Sequence, residues 1–378
     1  MNDTPGTIPT PTPEQMVQNL EDQIRRSSSR SRSKRETTRE KFQRANQWVE
    51  NKQEILTDLF YDLGEIVERR NLEHSVELRA RLSISSKYIA SLIYLSMCAV
   101  NKAELDWRKK GAHRQTLDAM SSISLQAIQI SDEIQALAIA GYPFAAEARW
   151  RTLYELMVTA RFLHHAPNAT SARFNCSHIM ELQRRVESGD YGNSSIAEPK
   201  ERKIIERIQT NADKIVDKYG EKMKKPYGWA VQEIEVVGGR GFNGIHQYVS
   251  VFESLDIARY AAASHHVHAG RIGLAKTLQI NTETGGINLG ARAVGIMDIL
   301  LQTVRCLSRI LETLLLEAYK KNRKQETIHW IEMLDYCFDD AITEISREAI
   351  NYDRNAAMKH FRAAAAKSSD LLGDIKFE

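Results

Sequence analysis

An arginine and a histidine are enough, as residue types, to cut RNA without a metal. The imidazole shuttles the 2′-hydroxyl proton and the guanidinium steadies the charged phosphate. In this sequence an arginine and a histidine separated by four to six residues occur at Arg69/His74, Arg108/His113, Arg173/His178, Arg240/His246, Arg259/His265, Arg259/His266, Arg323/His329 and Arg354/His360. Eight matches make the spacing alone uninformative. Helical geometry sorts them. Arg259 and His266 fall in one helical stretch, residues 255–269, and seven steps of ~100° put them on one face two turns apart. The run between them, Tyr260 to Ser264, is mostly small and lets another backbone approach. His265, His266 and His268 concentrate three imidazoles in four residues. The competing reading of this segment is a tight helix contact with hydrogen-bonded histidines.

A metal reading of His265-x-x-His268 fails on its own terms, because no carboxylate precedes these histidines at E-x-x-H spacing. No metal and no cofactor are expected. Gly239-Arg240-Gly241-Phe242-Asn243-Gly244 matches G-x-G-x-x-G after a short apolar run, the strand-like 234–237. A dinucleotide site needs that motif in a strand–turn–helix of a parallel sheet, and the surrounding pattern is helical, so it reads as a flexible loop.

A second constellation lies at residues 145–156. One seam, Ala146, Trp150, Leu153, Met157 and Ala160, is an apolar stripe. The stripe beside it holds Arg151 and Glu155 four residues apart among apolar neighbours. A half-buried pair of this kind costs desolvation and is weak evidence for stability. It either orients something in a pocket or acts as a strut between helices.

The run GYPFAAEARWRTLYELMVTARFL at 141–163, the Tyr-Gly-Trp-Ala of 227–230, and Tyr260-x-x-Ala263-Ser264-x-x-Val267-His268-Ala269 resemble the mostly bacterial family catalogued as domain of unknown function 5677. The resemblance covers roughly residues 115–320 and implies no settled activity. It is similar, more distantly, to HEPN-like helical ribonucleases and phage-defence proteins. Carried over by position, the residues of interest are Arg151, Glu155, Tyr227, Trp229, Ser264 and His268. The two lines of reasoning diverge here: spacing favours Arg259 with His265 or His266, while the motif favours His268 with Arg151 from another helix.

The elements that must position these residues are helices. Apolar residues recur at 3.6-residue intervals from Glu36 onward, with helices expected over 77–107, 114–140, 144–165, 169–187, 198–222, 248–269, 291–320 and 326–366. The fold class is therefore all-α, a multi-helical bundle with a disordered N-terminal arm. The expected organisation is a Pro/Thr and Arg/Ser arm at 1–35, N-terminal helices at 36–112, a core helical domain at 113–320 and C-terminal helices at 321–378. Half of the eight prolines precede residue 14, so the rest of the chain keeps its helices unbroken.

Charge and cysteine content exclude several classes. Net charge is +3, yet residues 25–41 alone carry eight basic residues against Glu36 and Glu40. A nearly neutral remainder is not the footprint of a dedicated duplex binder. The basic run is a solubilising tail, or an arm that contacts phosphates. Four scattered cysteines make neither a disulfide framework nor a zinc finger. No secretory signal is expected, because residues 1–20 offer Thr, Pro and acids in place of a basic start and an apolar stretch. The most apolar stretch, residues 88–100, falls short of the ~20 residues of a membrane span and reads as a buried helix. A cytoplasmic protein with no membrane partner is expected, with RNA as candidate ligand and the apolar 291–316 as core or homodimer seam.

These readings converge on a HEPN-like, metal-independent ribonuclease in bacterial defence or stress. His268 (or His266) would be the acid–base group, Arg151 or Arg259 the phosphate clamp and Glu155 an orienter. Tyr227, Trp229, Tyr260 and Ser264 would line the pocket. The alternative is a non-enzymatic sensing or scaffold protein whose Arg–Glu–His cluster is structural.

Overall fold

The computed structural model describes residues 53–108, 114–189, 199–267, 295–319 and 329–350, the strand residues 279–280 and 287–288, and the single residues Asp22 and Gln47. The arm at 1–35, apart from Asp22, lies outside the described residues, as does the expected helix beyond residue 350.

The chain divides into two compact units, Met1–Glu77 and Leu78–Glu378. In the first, residues 53–77 are helical and belong to α1 (Gln53–Arg81), with Tyr61, Leu72 and Val76 exposed. The second holds α2 (Ser83–Arg108), α3 (Arg114–Ile139), α4 (Pro143–His165), α5 (Asn168–Glu187), α6 (Pro199–Tyr219), α7 (Val231–Val236), α8 (Gly241–Ser250), α9 (Ile257–Val267), α10 (Ile296–Tyr319) and α11, residues 329–350. The fold is all-α. The one addition among the described residues is a minimal antiparallel pair, β1 (Gln279–Ile280) with β2 (Ile287–Asn288), in which Gln279 faces Asn288.

Helices α3, α4 and α10 pack on one another at the centre, with α2 along α3 and α10. The apolar seam of α4 is buried as its spacing implies: Ala146, Trp150, Leu153, Met157 and Ala160 all face inward. Burying large apolar side chains such as Leu153 and Met157 contributes about 1.5–3 kcal/mol each, so this stripe fixes the helix rotation. That rotation in turn sets where Arg151 and Glu155 point. Pro143 opens α4 at a position where its missing N–H costs nothing. The apolar 291–316 stretch contributes core from residue 296 onward, with Leu300, Leu307, Leu311 and Leu314 buried.

Several expectations are corrected. Residues 234–237 are not a strand: they form the end of α7 and the turn after it. The glycines that follow are a packed corner rather than a flexible loop. A Cβ on Gly239 would lie 2.4 Å from the Gly244 Cα, so the two backbones touch where α7 meets α8. The helix expected over 248–269 is two helices. Glu253 in the link is held by Arg161 Nε at 2.5 Å and Arg309 Nη1 at 2.6 Å, and Asp256 Oδ1 accepts the Arg259 N–H to cap α9. The helix expected over 77–107 is interrupted at Leu82, and Glu348 of α11 receives the first N–H groups of α2, from Ile84 and Ser85. Residues 88–100 are half-buried, not buried: Ile89, Leu92, Ala99 and Val100 reach the core, while Tyr94 and Met97 are exposed. Ser83–Glu104 is long and apolar enough to cross a membrane by length and composition, with 33% of that window buried.

Candidate functional site

Helix α9 lies against α4, with Ala263 fully buried at the contact. The close approach brings four polar side chains together. Arg151 Nη2 donates to the Tyr260 hydroxyl at 2.7 Å and pairs with Glu155 Oε1 at 3.0 Å. Arg151 Nε donates to Ser264 Oγ at 3.0 Å, and that hydroxyl donates onward to the Tyr260 carbonyl at 3.0 Å. Tyr260 in turn donates its proton to Glu155 Oε1 at 2.6 Å. Arg151 and Glu155 keep 24% and 26% of their side-chain surface exposed, so the cluster opens to solvent on one side.

The Tyr260 hydroxyl is pushed well above the usual phenol range, first by burial and then by its hydrogen bond to Glu155. It therefore stays a neutral donor at physiological pH. Its ring is sandwiched in an aromatic row: Tyr154 stacks on it at 5.2 Å, Phe242 tilts against it at 5.4 Å, and the Arg151 guanidinium lies 4.9 Å from its centre.

Tyr227 continues this row through Phe242, and the charges of Glu155 and Arg151 reach its hydroxyl. It is the one non-glycine residue with positive φ among those described, at +58°, and it remains 38% exposed. Strained backbone of this kind persists only where its surroundings hold it. Gly228 beside it allows the chain to pass against the preceding turn, where a Cβ would meet the Lys222 carbonyl oxygen at 2.1 Å. The left-handed residue sends neighbouring side chains in opposite directions. Tyr227 faces the cluster, whereas Trp229 is buried in the core, edge-on to Phe162 and Phe174.

Trp229 is thus a core residue, and its carbonyl accepts from Arg173 Nε at 2.8 Å. Arg259 also lies apart from the cluster. It faces α10, pairing with Asp298 at 2.5 Å and lying 5.3 Å from the Trp150 ring centre. Its place one step along the helix from Tyr260 turns it by ~100°, which is why the two cannot share a face. Helix α9 carries His266 in its last turn, but its side chain lies outside the described residues, as does His268 altogether.

One pair of groups escaped sequence reasoning. His246 of α8 is buried and its Nε2 meets the Tyr154 hydroxyl at 2.8 Å. Its Nδ1 is 3.3 Å from Ser250 Oγ. Burial pushes the imidazole below its ordinary range and the Tyr154 phenol above its own. The signal that could have found His246 was its position among Phe242, Ile245 and Val249 on the apolar face of α8, not its distance from the exposed Arg240. Among the described residues no three His, Cys, Asp or Glu side chains are grouped to hold a metal ion.

Residues 117–287 match the model of a family of unknown function, DUF5677. This region resembles that family. Arg151, Glu155, Tyr227, Tyr260 and Ser264 all lie within it, whereas α10 lies beyond it. No curated protein and no solved structure matches the chain. The DUF5677 region thus supplies every member of the polar cluster from two helices and one strained turn.

Proposed function

We propose that the Arg151 cluster is the phosphate-holding part of a metal-independent ribonuclease centre, HEPN-like in joining an arginine to a histidine, in a cytoplasmic bacterial protein of defence or stress response. The observation that carries this reading is the fixed, half-exposed guanidinium of Arg151, held by Tyr260, Glu155 and Ser264. The helix that supplies two of those partners carries His265 and His266, and His268 follows its described end in sequence. In this scheme His268, or His266, takes the 2′-hydroxyl proton as that oxygen attacks phosphorus. The P–O5′ bond breaks, the 5′-oxygen receives a proton, and a 2′,3′-cyclic phosphate remains. Arg151 meets the charge that develops on the phosphoryl oxygens, and Tyr260 and Glu155 keep it in place.

A second reading has its own observation. The groups of the cluster satisfy one another, and Arg151 and Glu155 cancel in charge, as a strut between α4 and α9 requires. Induction in a bacterial host, followed by total-RNA integrity, separates the two. The ribonuclease reading expects the wild type to degrade RNA and arrest growth. It expects His268→Ala to lose about 10²–10⁴-fold in cleavage by the purified protein. Cleavage that survives His268→Ala but not His266→Ala assigns the acid–base role to His266. Intact RNA with the wild type, in cells and with purified protein, leaves the strut as the function of the cluster.

A further inference from the structure

Tyr227 sits in left-handed backbone, at φ +58° and ψ +18°. Glycine or asparagine adopts that conformation readily, whereas a tyrosine does so at a cost in stability. Packing does not offset the cost, because the residue keeps 38% of its surface exposed. Its hydroxyl has no hydrogen-bond partner among the described residues. The ring is fixed all the same. The Gly241 backbone lies against its edge, where a Cβ would stand 3.8 Å from Cδ2, and Phe242 tilts against it at 6.4 Å between ring centres. Strained residues of this kind cluster at ligand clamps, where the strain sets a side chain in place before the ligand arrives.

Beside the ring, Arg151 has one amino group uncommitted. Nε donates to Ser264 and Nη2 serves Tyr260 and Glu155, while Nη1 has no hydrogen-bond partner among the described residues. The charges of Glu155 and Arg151 act on the Tyr227 hydroxyl, so ring and guanidinium are neighbours. An exposed tyrosine alone selects no ligand. The free guanidinium edge at its side adds a phosphate, and a nucleotide is the unit that joins a phosphate to a flat ring through one sugar.

We infer that Tyr227 is a stacking platform for the nucleobase attached to the phosphate that Arg151 holds. The inference rests on the phosphate contact of the ribonuclease reading and adds to it the substrate class, single-stranded RNA. A base inside a duplex has both faces covered by its neighbours, whereas an unpaired base can be laid on the ring. Every base has a π-face, so the platform reads strandedness rather than sequence.

Adenosine 5′-monophosphate and ribose 5-phosphate, titrated separately into the full chain by calorimetry, test the inference. They differ only in the base, and neither contains the bond that the proposed chemistry breaks. The basic run at 25–41 meets their phosphates alike, so the ratio of the two affinities reports the base. In the wild type the nucleotide is expected to bind roughly tenfold more tightly than the sugar phosphate. Tyr227→Asn, which suits the left-handed backbone, should lower nucleotide affinity roughly tenfold and leave ribose 5-phosphate unchanged. Tyr227→Phe keeps the aromatic plane and should keep the ratio. Several results would overturn the inference: no nucleotide binding at millimolar concentration, equal affinities in the wild type, a ratio that survives Tyr227→Asn, or a ratio lost in Tyr227→Phe. Loss of both ligands in Tyr227→Asn would do the same, by making the ring a structural support. None of these results depends on cleavage. A chain that stacks the base through Tyr227 and leaves RNA intact overturns the ribonuclease reading alone; one that cuts RNA with no contribution from the base overturns the platform alone.

Discussion

Two arginine–glutamate pairs in this molecule look alike in sequence and differ in what surrounds them. Arg173 and Glu233 are 6% and 8% exposed, and Thr170 and the Trp229 carbonyl complete their hydrogen bonding. Removing one partner leaves a buried charge alone, so Arg173→Met should cost about 3–5 kcal/mol in chemical denaturation. Arg151 and Glu155 are three to four times more exposed, and screening reduces their pair to ~1 kcal/mol or less, so Arg151→Met should barely move the midpoint. A large loss at Arg151 would make its cluster a strut in the same sense as Arg173. Histidines set the pH response. Burial holds His246 and His165 neutral below the ordinary imidazole range. The unfolded chain therefore takes up protons from about pH 6.5 downward before the folded one does, and stability falls as pH drops through that window. His246→Gln should reduce the loss of melting temperature between about pH 7.5 and 5.5, with His165 supplying the remainder.

At the scale of elements, glycine decides where the chain can turn toward the cluster. Gly228→Ala would drive a Cβ into the Lys222 carbonyl, and backbone cannot move aside as a flexible side chain does. A loss of about 2–3 kcal/mol by denaturant titration is expected, with Tyr227 released from its position as the turn relaxes. Helices of this length were legible from periodicity, and the boundaries of α3, α4 and α5 fall within a residue or two of expectation. The break at 251–256 was not legible, because no Gly or Pro marks it; Glu253 is held there by Arg161 and Arg309, both distant in sequence, while Asp256 caps the helix that follows through the nearby Arg259 N–H. The strand-like 234–237 failed for a related reason: a short β-branched run has no sheet to join and is absorbed into α7. Among the site residues, Arg151 and Glu155 were readable because they stand at i, i+4 on one helix, whereas Tyr260 and Ser264 were reached through the motif that resembles the family. Tyr227 and Trp229 could not be told apart by adjacency, since a left-handed backbone residue reverses the usual expectation.

For the whole molecule, the ribonuclease proposed above would separate capture of RNA from chemistry on it. Eight basic residues crowd 25–41, far in sequence from the Arg151 cluster, while the net charge of the chain is only +3. Each phosphate neutralised on a single strand contributes about −0.7 to the slope of log affinity against log salt. If the basic run supplies the phosphate contacts, binding of single-stranded RNA should weaken steeply with salt in the full chain. Deletion of residues 1–41 should then flatten that slope, raising KM at physiological salt while leaving kcat unchanged, because the bond-breaking groups lie elsewhere. A deletion that leaves the slope intact would place the phosphate contacts on the helical body. One that lowers kcat at saturating RNA would bring the arm into the reacting centre, since uniform binding energy alters KM and only interactions strengthened in the transition state alter kcat.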